Sequence, residues 1–303
     1  MKILSYSKLL ISISLLIIIS GVFIISKYGF KSSIEYTGGT VFTFKPKLDF
    51  DIERNKGFLK SQGIESSEIH SDSKEIKIKV SETESEKVVI LKNKLLEFNK
   101  GLEIEGVETV GSSMGIEFAK NSFLALIFSL LAILIFVTYS FYNLAKGIPS
   151  WHFGVATLVA MFHDVLIVIS FFSLMGYFYG VEIDSLFLTA LLTIIGFSVN
   201  DTIVVFDRIR ENLQKYNSKL TFYEISNLSV FETLNRSLIT SFTVIFIMFA
   251  LYLLGGESIK YFSLALVVGI TAGTYSSIFI ATPFVLLLNR KIEKSNVWVG
   301  NLF

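Results

Sequence analysis

Six stretches of this chain are each long and apolar enough to cross a bilayer, which takes roughly 17–25 mostly apolar residues. They fall near Leu9–Ser26, Ser122–Tyr142, Phe153–Met175, Ser185–Phe206, Leu238–Leu254 and Tyr261–Leu288. In lipid a backbone must pair its own N–H and C=O groups, so each run is read as a helix. Of 303 residues, 52% are apolar and 17% charged, with a mean hydropathy of +0.62. That balance belongs to a polytopic membrane protein, not to a soluble domain. A formal net charge of +1 leaves no general basic field, so no nucleic-acid partner is expected. The absence of cysteine excludes disulfides, thiolate metal sites and a cysteine nucleophile. His70, His152 and His163 lack metal-ligand spacing, and no phosphate-binding loop or nucleophile elbow occurs. No cofactor, no metal and no enzymatic chemistry are therefore expected.

The short loops set the expected orientation. Lys2 and Lys8 precede the first run, and Lys146 follows the second. Arg208, Arg210, Lys215, Lys219 and Arg236 lie between the fourth and fifth, and Arg290, Lys291 and Lys294 follow the sixth. The alternate loop "GYFYGVEID" has no basic residue and "GGESIK" has one. The positive-inside rule then places both termini in the cytoplasm. "VFIISKYGF" after the first apolar core lacks a small-x-small cleavage site, so that run reads as an uncleaved anchor. Four regions follow: a cytoplasmic N-terminus with the first span (1–29), an external domain (30–120), five further spans (121–290) and a cytoplasmic tail (291–303). The longest loop between spans, 207–237, is expected to begin as a helical extension of the fourth span.

Residues 30–120 differ in kind, being charged and nearly balanced in sign. "EIKIKV" (75–80) alternates strictly and reads as a strand, as does "VFTF" (41–44). "DIERNKGFLKSQG" and "SETESEKVVILKNKLLEFNK" read as helices, the second opened by Ser81 and Glu84 in capping-box spacing. With weaker strands near 64–70 and 102–110 the order is βαββαβ, the pattern of a small ferredoxin-like α+β domain between the first two spans.

Inside the apolar runs lie two carboxylates, Asp164 and Asp201. Each ionisable side chain at the bilayer centre costs about 2.5–3.5 kcal/mol, so intramembrane carboxylates point to function. Asp164 shares a small, polar helical face with Ala160 and Thr157, suited to another helix, and His163 adjoins it. Asp201 shares a face with Ser198, Val205 and Arg208 and is flanked by Asn200 and Thr202. Arg236 aligns with Thr240 and Thr243 at the start of the fifth run. Asp207, Arg208, Arg210 and Glu211 mark the water interface of the fourth. Desolvation favours a protonated carboxyl and a nearby arginine an ionised one, and the two together suit proton exchange near neutral pH. Hydroxyls such as those of Ser198 and Thr202 leave Na⁺ open beside H⁺. Gly269 and Gly273 have the spacing of close helix packing.

Five motifs carry a resemblance: "IEYTGGTVF", "VETVGSSMG", "FHDVLIVISFFSL", "LLTIIGFSVNDTIVVFDRIREN" and "TLNRSLITSFTVIFIMFALYLLGG". The chain resembles the SecD/SecF family of bacterial protein-export membrane subunits, within the resistance-nodulation-division superfamily. The first motif departs from the family's more usual Asp-Phe before Thr-Gly-Gly, with Glu35 and Tyr36 keeping acid and aromatic character. Thr37, Gly38 and Gly39 then form a family turn. The resemblance implies six helices in a bacterial cytoplasmic membrane, a head domain after the first, and proton flow assisting late stages of polypeptide export. It implies a proton relay through Asp201 and Arg236 and, more loosely, Asp164, with Ser198, Asn200, Thr202, Thr240 and His163 as polar support. The implied partners are a SecD-like second six-helix half, the Sec translocon channel, the translocating polypeptide and membrane lipids. A homodimer would equally supply a second half. Two other functions compete: a small-molecule exporter of the same superfamily, and a structural assembly factor that moves no proton.

Overall fold

All six apolar runs are helical in the computed structural model, and each helix extends beyond its run at one end or both. The structure describes residue 4 and residues 7–46, 50–64, 67–71, 75–99, 101–142, 148–216 and 219–289. The basic residues Lys2, Lys146, Arg290, Lys291 and Lys294 and the tail 291–303 lie outside the described residues, as does the side chain of Lys8.

The elements in chain order are α1 (Ser7–Tyr28), α2 (Ile34–Thr37), β1 (Gly39–Phe44), α3 (Ile52–Ser61), β2 (Ser67–Ser71) and β3 (Ile76–Val80). There follow α4 (Ser85–Phe98), β4 (Ile104–Val110), α5 (Ser112–Ser140), α6 (Trp151–Tyr179), α7 (Ser185–Tyr216), α8 (Phe222–Leu254) and α9 (Glu257–Ser276). A π-helical turn, Ser277–Ala281, continues α9, and the sixth span runs on to Asn289. Pro283 explains the turn: it cannot donate to the carbonyl four residues back and its ring crowds that carbonyl, so the ladder loosens just before it. Thr282 Oγ1 donates to Ser277 O at 3.0 Å within the loosened turn.

Two compact units emerge, one of residues 1–29, 125–178 and 186–303, the other of residues 30–124 and 179–185. The second holds a four-stranded antiparallel sheet in the order β2-β3-β1-β4. Alternation in β3 sends Ile76, Ile78 and Val80 inward, where they meet Phe42 and Phe44 of β1, Leu59 of α3 and Leu91 and Leu95 of α4. α4 opens later than its sequence suggests. Its N-cap is Glu84, with no side-chain cap bond, so the expected capping box on Ser81 does not form. Glu82 intervenes: its carboxylate accepts from the N–H groups of Thr83 and Glu84 at 3.0 and 3.1 Å and bends the chain there. A capping box does form where none was foreseen, between Thr221 and Glu224 at the start of α8.

The Thr37-Gly38-Gly39 turn ties this unit together. Gly38 has φ +73 and a Cβ there would lie 2.5 Å from Ser112 Cα; Gly39 has φ +126 and its Cβ would lie 2.6 Å from Val80 O. Both positions demand glycine, on conformation and on space. Glu35 Oε2 accepts from Ser185 N, the first residue of α7, at 2.5 Å, and Tyr36 Oη donates to Asp184 O at 3.2 Å. Nearby, Glu182 meets Lys79 at 3.5 Å; burial pushes its carboxyl above the ordinary range and Lys79 opposes the push.

In the first unit, burial sorts the helices. Of the most apolar stretch of each span, 56%, 50% and 56% is buried in α6, α7 and the sixth helix, against 11% in α1, α5 and α8. The inner helices touch closely at glycine. A Cβ on Gly269 would lie 2.2 Å from Ile194 Cδ1, and one on Gly273 would lie 3.1 Å from Ser198 Cβ. The expected close packing at this glycine pair is thus present, and it joins α9 to α7. The segment 207–237 begins as the expected extension of the fourth span, α7 running to Tyr216, but it also opens α8, which starts at Phe222. Ion pairs explain this length, for Arg208 bonds Glu211 one turn on and Glu232 of α8 at 2.7 Å. Asn212 Nδ2 donates to Ser229 Oγ at 3.0 Å and to Glu232 at 2.7 Å.

Candidate functional site: two buried carboxyls

Asp164 and Asp201 are both almost wholly buried, 1% and 3% exposed. Their surroundings differ. Asp164 comes from the middle of α6, whose Thr157, Ala160 and Asp164 are all buried, as their shared face requires. Its Oδ2 accepts from Ser198 Oγ of α7 at 2.6 Å and from Ser276 Oγ at the end of α9 at 2.8 Å. Its Oδ1 lies 3.0 Å from His163 Nδ1. The other ring nitrogen, Nε2, lies 3.0 Å from Tyr275 Oη, and Tyr275 Oη in turn bonds Ser14 Oγ of α1. Ser276 stands beside the π turn, a device found often at functional sites.

Asp201 is held by less. Oδ1 accepts from Ser237 Oγ of α8 at 3.2 Å, Ser241 Oγ acts on the carboxyl from farther off, and among the described residues Oδ2 has no hydrogen-bond partner. Ser241, one turn further along α8, accepts from Thr274 Oγ1 of α9 at 2.7 Å. A buried carboxyl oxygen without a donor carries an uncompensated desolvation cost of roughly 1–3 kcal/mol. Such a group gains most from taking up a proton or finding a new partner.

The other expected residues fall around this pair unevenly. Ser198, which shares a helical face with Asp201, gives its hydroxyl to Asp164 instead. Thr202 is buried but donates to Ser198 O at 3.0 Å, within its own helix. Asn200 is exposed and faces away from the buried carboxyls. Thr240 is exposed and donates to Arg236 O at 2.9 Å. Arg236 is itself exposed, and among the described residues no ion pair of 4.0 Å or less joins it to Asp201. Its charge acts on Asp201 through space, from one helix to the next. His163 is more than packing, since it bridges Asp164 and Tyr275. The residues not foreseen are Ser237, Ser276, Tyr275 and Ser14. Ser237 adjoins Arg236 inside "NRSLITS", and Tyr275 and Ser276 sit in "TYSS", a polar cluster inside the sixth apolar run.

A six-helix membrane protein with a small sheet domain after its first helix, and paired acids in its inner helices, defines the class. The model of the family "Protein export membrane protein SecD/SecF, C-terminal" matches residues 90–291. A protein translocase subunit SecF of Thermobaculum terrenum is 40% identical, covering 92% of this chain and 91% of the relative. The SecF of Haemophilus influenzae is 36% identical over 88% of this chain and 79% of its own. Among solved structures, SecDF of Thermus thermophilus, described as a translocon-associated membrane protein, superposes with a TM-score of 0.83 at 32% identity. That match covers 96% of this chain and 39% of the SecDF chain, so the present chain spans about two fifths of that longer protein. The chain belongs to the SecD/SecF family of protein-export membrane proteins.

Proposed function

We propose that this chain is an accessory subunit of the Sec protein-export machinery, a multi-pass protein of the bacterial cytoplasmic membrane that couples proton entry to late polypeptide translocation. The observation that carries the coupling is the single-bonded Asp201, buried with one oxygen unpartnered and facing α8, the helix that bears Arg236. One charge crossing the whole membrane potential yields about 2.3 kcal/mol per 100 mV, enough to shift a helix equilibrium by more than tenfold. Protonation of Asp201 removes the charge that attracts Arg236 and gives Oδ2 or Oδ1 a donor hydrogen. That change biases α8 against α7. No bond of the exported chain is made or broken, so the role is not enzymatic.

The βαββαβ order and the strand order β2-β3-β1-β4 favour a ferredoxin-like reading of the head. The lysine and arginine distribution favours its placement outside, with both termini inside. The largely exposed apolar faces of α1, α5 and α8 suit lipid and a second six-helix half, SecD-like by the comparison with SecDF. The test is Asp201→Asn, nearly isosteric, in inverted membrane vesicles that export a model preprotein. Loss of the stimulation by membrane potential, with basal ATP-driven export retained, is expected. Full stimulation by the variant would favour a structural assembly role.

A further inference from the structure

The chain of hydrogen bonds leaving Asp164 has a direction, and the direction sets its charge. Ser14 Oγ lies 3.0 Å from the carbonyl of Leu10, one turn earlier in α1, and donates to it. A serine hydroxyl has one proton. Once it is given to Leu10, Tyr275 must donate to Ser14, and His163 Nε2 must carry a proton to donate to Tyr275 Oη. The remaining nitrogen, Nδ1, faces Asp164 Oδ1 at 3.0 Å. One proton lies between these two atoms, on the imidazole as an ion pair or on the carboxyl as a neutral pair. The pair has zero net charge either way.

The opposite direction has a different total. If Ser14 donated to Tyr275 and Tyr275 to Nε2, then Nδ1–H would donate to an ionised Asp164 beside a neutral ring. The site would then hold one net negative charge. Among the described residues His163 is the one ion-pair partner of Asp164; Tyr275 faces it from α9, and from α7 and α9 it receives the hydroxyls of Ser198 and Ser276. Among the described residues no lysine or arginine pairs with Asp164 to offset that charge, which costs about 2.5–3.5 kcal/mol near the bilayer centre. A single serine-to-carbonyl bond is worth only about 1 kcal/mol. The charge decides, and it agrees with the bond that Ser14 makes.

We propose that Tyr275 and Ser14 are positioning residues that hold His163 as an Nε2–H donor, and thereby keep a proton shared between His163 Nδ1 and Asp164 Oδ1. The geometry supports it independently: the Tyr275 ring packs edge-on to His163 at 5.6 Å between centroids, fixing the plane in which Nε2 points. α1 is brought into reach by close contact with α6, where a Cβ on Gly21 would lie 2.2 Å from Ser170 Cβ. The inference deepens the coupling reading by giving the two carboxyls different work, the Asp164–His163 pair retaining its shared proton while Asp201 exchanges.

The experiment is nitrogen-15 NMR of His163 in the full chain reconstituted in lipid, at neutral pH. A directly bonded proton on Nε2 is expected in the wild-type protein, and a Nε2 that bears no proton overturns the proposal. Tyr275→Phe keeps the ring and removes the acceptor, and is expected to move the Nε2 resonance as its N–H loses its partner. An unchanged imidazole spectrum in Tyr275→Phe also overturns it. Should Tyr275→Phe not fold, the wild-type spectrum decides alone, and Ser14→Ala supplies the second variant. The imidazole spectrum is independent of export, so a failure of the coupling reading, seen in Asp201→Asn vesicles, leaves this result separately readable.

Discussion

Asp164 and Asp201 lie in the same helix bundle and are almost equally buried, yet one has a full set of partners and the other does not. Two serine hydroxyls and an imidazole meet Asp164 at 3.0 Å or less, whereas Asp201 has one hydroxyl at 3.2 Å and that of Ser241 farther off. Burial alone therefore does not mark a coupling residue. A carboxyl with partners on both oxygens has little to gain from a change of helix packing. In the proposed coupling, one that is buried and half satisfied is the group that takes up a proton when α8 moves.

The contrast is easiest to break by removing each acid. Asp164→Ala leaves Ser198, Ser276 and His163 without their common acceptor, and should destabilise the bundle by about 3 kcal/mol. Asp201→Ala loses a single long hydrogen bond and should cost only about 0.6 kcal/mol. Unfolding in mixed detergent micelles measures both, and equal losses would erase the distinction. Next in size, Gly273→Ala presses a methyl group on Ser198 at 3.1 Å and should disturb the Asp164 pocket at a cost of roughly 1–3 kcal/mol. Stimulation of export by membrane potential should fall less in this variant than in Asp201→Asn.

Smaller effects sharpen the Asp201 side. Ser237→Ala removes its nearest donor and should cost about 0.6 kcal/mol in the same micelle assay. In export vesicles it should shift the pH at which stimulation is half-maximal, because the ionised form loses its hydrogen bond. Least of all, Arg236→Met should change stability by under about 0.5 kcal/mol, since the side chain is exposed and makes no ion pair with Asp201. Its coupled export should nonetheless fall. A normal coupled rate would show that Arg236 serves only as a charge at the membrane edge.

Much of this architecture was readable in the residues. The six spans follow from apolar runs that lipid forces into helices, and β3 follows from "IKIKV", where side chains alternate with the pleat. The early start of α8 was not readable, although the extension of α7 past 207 was. Arg208, Glu211, Asn212 and Glu232 look like loop residues by polarity, but they bond across α7 and α8 and prolong both. Both acids were legible as costly insertions in lipid, but their partners were not. Helical spacing tells which side chains share a face, and not which neighbouring helix that face meets. Ser198 shows the limit, sharing a face with Asp201 while its hydroxyl turns to Asp164. Tyr275 and Ser276 close α9 just before the π turn, and nothing in their spacing ties them to His163 or Asp164 on α6.

Proton exchange at Asp201, with Asp164 keeping its proton, is most directly examined by infrared difference spectroscopy on proteoliposomes before and after a proton gradient is imposed. The expected spectrum shows a carboxyl C=O band that appears on energisation, vanishes in Asp201→Asn and survives in Asp164→Asn. A band lost in Asp164→Asn and retained in Asp201→Asn, or no carboxyl band at all, would contradict it.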